Sequence, residues 1–202
     1  MFLTDKPWLT TGVIGAKDSR SSTEVLRDQA WSGFKLLLCV LTMLFVILVT
    51  AYFGHMDIAD WQRLSEPWLL WFNTGLLFLS SIAMSKAQEA IKQDDLRRMK
   101  ICFITAGLLT FAFLLGQLIV WQHYHALGYF LATNPANTFF YMITAIHGFH
   151  LLVGLLVWSH ASRQLMRGVS GPQLCLRIDI CAAYWHFLLL IWLGLFALLI
   201  FT

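Results

Sequence analysis

Five apolar stretches, at about 34–54, 67–85, 101–121, 139–160 and 179–201, constrain this chain more than any other feature. A helix crosses a hydrocarbon layer with about 20 mostly apolar residues, whereas a spanning strand needs about half as many. In lipid the backbone must bond to itself, so runs of this length predict helices. The expected fold is an all-α integral membrane bundle of five transmembrane helices. With 58% hydrophobic and 12% charged residues among 202, the chain is far more apolar than an ordinary soluble domain. Residues 1–33 carry scattered charge and no apolar core of signal-peptide length, and are expected to be a retained cytoplasmic tail ahead of a membrane domain at 34–202.

Basic residues set the expected orientation. Lys6, Lys17, Arg20, Arg27 and Lys35 lie in the tail, Arg63 alone in the first loop, and Lys86, Lys92, Arg97, Arg98 and Lys100 in the second. Arg163, Arg167 and Arg177 lie in the fourth loop, and the third loop and C-terminus have none. Because Lys and Arg gather on the cytoplasmic side, the N-terminus is expected inside and the C-terminus outside. The loop at 86–100, alternating in sign, is expected to prolong helices 2 and 3, and Arg97, Arg98, Arg163 and Arg167 are candidate contacts for anionic lipid head groups.

Several classes are disfavoured. Cys39, Cys102, Cys175 and Cys181 form no C-x-x-C pair, so neither a disulfide framework nor a cysteine metal site is expected. The net charge of +3 comes without an aromatic-basic groove motif, which argues against nucleic acid. His123 and His125, two residues apart, point in different directions on a helix and make a poor metal pair. Apart from Asp179 at a boundary the spans hold no carboxylate, so no acid–base pair for catalysis is visible. Without an internal repeat, a charged pathway or a broken helix, a transporter is a weak reading.

The polar residues that remain are informative. Helix 2 carries Asn73, Thr74, Ser80, Ser81 and Ser85, small and weakly polar side chains of the kind that pack helices closely. In helix 4, His147, His150 and Gly154 share about one face, with Gly148 between the histidines and Gly154 admitting a close neighbour. Helix 5 carries Tyr184-Trp185-His186-Phe187, then Trp192. From the cytoplasmic end, His150 lies roughly 15 Å and His186 roughly 10 Å deep at ~1.5 Å per residue, which permits contact between antiparallel neighbours. Each ring is expected to donate to a neighbouring helix and accept in return, holding helices 4 and 5 together. The competing reading makes them axial ligands of a bis-histidine haem.

His147-Gly148-x-His150-x-x-x-Gly154, Tyr184-Trp185-His186-Phe187 with Trp192, Asn73-Thr74 with Ser80-Ser81, and Gln117 fall in an order that resembles subunit III of the haem-copper respiratory oxidases in its short five-helix form. The resemblance implies a membrane subunit of aerobic respiration in a bacterial-type plasma (inner) membrane, packed against catalytic subunit I and alongside subunit II. It implies bound phospholipid, support of proton uptake, and haem and copper carried by partner subunits rather than by this chain. Family members usually have buried carboxylates where this chain has Thr42, Val120 and Leu189, so the proton-handling role those carboxylates serve is expected to be lost. A subunit III-like accessory protein of nitric oxide reductase is the neighbouring alternative.

Overall fold

The computed structural model describes residues 22–55, 68–130, 135–167 and 172–201. Lys6, Lys17, Arg20, Arg63, Pro67, Asn134, Gly168 and Gly171 lie outside the described residues. The described residues form five helices: α1 (Ser22–His55), α2 (Trp68–Lys92), α3 (Leu96–Ala126), α4 (Pro135–Met166) and α5 (Pro172–Phe201). All five are long and apolar enough to cross a membrane. At ~1.5 Å per residue even the shortest, with 25 residues, exceeds a ~30 Å hydrocarbon layer. The apolar runs therefore underestimate the helices: hydropathy marks where lipid begins, while the hydrogen-bonded ladder continues through polar residues on either side. The largest difference is at α1, helical from Ser22 rather than from the start of its apolar run.

The chain forms two compact units, Met1–Leu37 and Leu38–Thr202. Among the described residues of the first, Trp31 and Phe34 meet edge to face with ring centroids 5.7 Å apart.

In the second unit, local chemistry sets the helix ends. The α2–α3 turn is short: Asp94 takes a positive φ of 56°, and the Asp95 side chain caps α3 by accepting from the Arg98 backbone N–H at 3.0 Å. The α3 helix stops before Gly128, whose φ of 87° suits a residue without a Cβ. Pro135 and Pro172 open α4 and α5, where a missing N–H costs nothing.

Packing among α2–α5 is close where side chains are small. The Trp158 indole lies where a Cβ on Gly107 would project, joining α4 to α3. Bulky side chains fill the rest: Phe45 and Tyr52 of α1 pack with Phe139 and Ile143 of α4 and Leu195 and Leu198 of α5. Outward faces are apolar too, with Val46, Ile47, Phe72, Phe111, Phe149 and Leu156 all exposed. Water would penalise such a surface, whereas lipid is its matching solvent.

Candidate functional site

The polar residues picked out in the sequence converge on the interior of α2–α5, though not in the expected pairings. The densest group is a hydrogen-bonded knot. The Ser80 hydroxyl reaches the Ala106 carbonyl at 2.7 Å and the Thr110 hydroxyl at 2.7 Å. The Trp185 Nε1–H donates to both hydroxyls, at 3.0 Å to Ser80 and 2.9 Å to Thr110. Three helices thus meet in one fully buried polar contact. Thr110 was not singled out in the sequence; the clue was geometric, since an α2–α3 hairpin places it opposite Ser80.

A second ladder joins α5 to α2. His186 Nδ1 lies 2.5 Å from the Ser81 hydroxyl and its Nε2 lies 3.1 Å from that of Ser85, so both ring nitrogens face serines one turn apart. Gln88 Nε2 donates to Asp179 at 3.0 Å, and at the far end Trp192 Nε1–H donates to Thr74 at 3.0 Å. His186 therefore ties α5 to α2, and the contact with the α4 histidines that the depth estimate permitted is replaced by one with serines. Small residues spaced along α2 leave the room.

The α4–α5 contact rests on Tyr184 instead. Its hydroxyl donates to the His150 backbone carbonyl at 3.1 Å, and its ring lies so close to Gly154 that an added Cβ would stand 2.9 Å from it. The His150 ring meets the carbonyl of Ile146 in its own helix at 2.7 Å, rather than a neighbour. His147 is fully buried with no hydrogen-bond partner at either nitrogen, and rings of Phe45, Phe113 and Trp192 surround it. Gly148 has ordinary room, since a Cβ there would be 3.7 Å from Leu114.

Thr42 bonds back to the Leu38 carbonyl at an exposed position, while Val120 and Leu189 are buried. Arg97 and Arg98 beside the α2–α3 turn, and Arg163 and Arg167 at the end of α4, are all exposed. Alternation of helix direction along α2–α5 brings these two regions to the same end.

The hydrogen bonds of this interior link helices to one another. Among the described residues no group of three His, Cys, Asp or Glu side chains is placed to hold a metal ion. Of the histidines, His186 has both nitrogens within hydrogen-bond distance of serines, and His147 has rings packed against it. Fold and interior define a polytopic membrane protein whose polar side chains cross-link its helices.

The chain belongs to the cytochrome c oxidase subunit III family, whose sequence profile matches residues 8–202. It is similar to cytochrome c oxidase subunit 3 of Thermostichus vulcanus, 35% identical over 63% of this chain and 62% of that one. It is also similar to cytochrome c oxidase subunit 3 of Synechocystis, 30% identical over 85% of this chain and 75% of the relative. The quinol oxidase subunit 3 of Bacillus subtilis is 29% identical over 67% of this chain and 66% of its own length. The chain is therefore a multi-pass member of the subunit III family of haem-copper oxidases, and it spans 62% of the length of the Thermostichus relative.

Proposed function

We propose that this chain is a non-catalytic subunit that packs against catalytic subunit I, beside subunit II, and preserves the fold and lipid environment of the oxidase during aerobic respiration. The observation that carries this reading is the commitment of six interior polar side chains to contacts between helices: Ser80, Ser81, Thr110, Tyr184, Trp185 and His186 are consumed in joining helices. Haem and copper belong to the partner subunits in this reading. Its N-terminus faces the cytoplasm of a bacterial-type cell, with Arg97, Arg98, Arg163 and Arg167 turned to anionic phospholipid head groups on that side. Support of proton uptake is indirect, through the packing of subunit I.

Purification of the native complex in mild detergent tests the reading. A large co-purifying chain with haem and copper supports it, while a nitric oxide reductase partner replaces the oxidase assignment. A Soret band that stays with the isolated chain would instead make it a haem protein. Within the complex, His186→Leu and His150→Leu are expected to lower recovery of assembled oxidase; normal assembly with slowed turnover would assign them a direct proton role.

A further inference from the structure

Three side chains at one level of the bundle are buried and make no hydrogen bond within the chain. Asn73 of α2 and His147 of α4 are fully buried and Gln117 of α3 is 4% exposed, and none of their six polar side-chain atoms has a hydrogen-bond partner. Their common depth follows from the contacts around them. Ser80 faces Thr110 across the antiparallel α2–α3 pair, so about two turns further along, Asn73 and Gln117 come level; the Asn73 amide lies against Gly116. Trp121 donates to Thr144 across α3–α4, and one turn deeper Gln117 and His147 come level in the same way. Trp192 completes the layer, its ring centroid 5.1 Å from that of His147 and its N–H on Thr74, the neighbour of Asn73.

A buried polar group without a partner costs about 1–3 kcal/mol, and nearly all such groups in folded proteins are bonded to protein or to ordered water. We propose that Asn73, Gln117 and His147 form a site for internal water, with one or more molecules bridging the two amides and the imidazole. The chemistry selects water over an ion, because Asn73 and Gln117 are neutral and no carboxylate stands in the layer to balance a buried charge. Two amides supply donors and acceptors, and a neutral imidazole adds one of each, enough for the roughly three bonds an internal water makes. Rings of Phe45, Phe113 and Trp192 also pack against His147.

The test is a density map of the intact complex sharp enough to show ordered water. Peaks at about 2.7–3.2 Å from polar atoms of at least two of the three side chains are expected. Direct pairing of the Asn73 and Gln117 amides, with His147 in van der Waals contact and no peak between, overturns the proposal, as do short contacts typical of a bound metal ion. In His147→Phe the peak nearest α4 should disappear, and its retention unchanged also overturns the assignment. Should that variant fail to assemble, the wild-type map decides alone.

Discussion

Two histidines in the same bundle show how differently one side chain can be used. His186 presents both nitrogens to serines of α2, at 2.5 and 3.1 Å, and fastens the last helix to the second. His147 sits fully buried among aromatic rings and bonds to no part of the chain. Around His186 and Trp185, pairing is direct; around His147, Asn73 and Gln117 it is not. Helix association in lipid gains little from apolar burial, so the directly bonded level carries the specificity of packing, and the unbonded level depends on what lies between its side chains.

That contrast can be broken by mutation. Trp185→Ala should be most damaging, about 3–5 kcal/mol, because it removes a buried indole and its two hydrogen bonds; Trp185→Phe should recover most of the loss. Unfolding in mixed micelles would measure both, and equal loss in the two variants would show that the hydrogen bonds rather than the packing dominate. At the other level, Gly116→Ala drives a methyl group into the Asn73 amide and should cost about 1–3 kcal/mol. A cost equal to that of Trp185→Ala would erase the distinction between the levels. Ser81→Ala, which removes one bond to His186, should cost only about 0.6 kcal/mol, near the average for interhelical hydrogen bonds in lipid; a double-mutant cycle with His186→Leu isolates the pair. Gly75→Ala meets nothing within 4 Å and should change stability by less than about 0.5 kcal/mol, checked by the same unfolding curve.

Much of this architecture is legible in the sequence, because apolar runs of spanning length admit few alternatives. Helix ends are less legible: α1 continues through Glu24, Arg27 and Asp28, where hydropathy fails but the backbone ladder does not. The residues of the interior, Ser80, Ser81, Tyr184, Trp185 and His186, could be named from their types and spacing. Their partners could not, since pairing depends on the rotation and register of each helix. Thr110 looks like any threonine in an apolar run until α2 is laid beside it, and depth alone made His150 and His186 seem neighbours when rotation turns His186 toward α2.

The span of chain between partners also orders the protein's biosynthesis. Ser81 and His186 are 105 residues apart, as are Ser80 and Trp185, while the α2–α3 turn needs only a few residues to fold back. The α2–α3 hairpin can therefore close as soon as it emerges, but α2 waits for the final helix before its remaining serines are engaged. Until α5 is in place, the hydroxyls of Ser81 and Ser85 lack their His186 partner. The pairing of α2 is thus completed in two stages, first with α3 and then with α5.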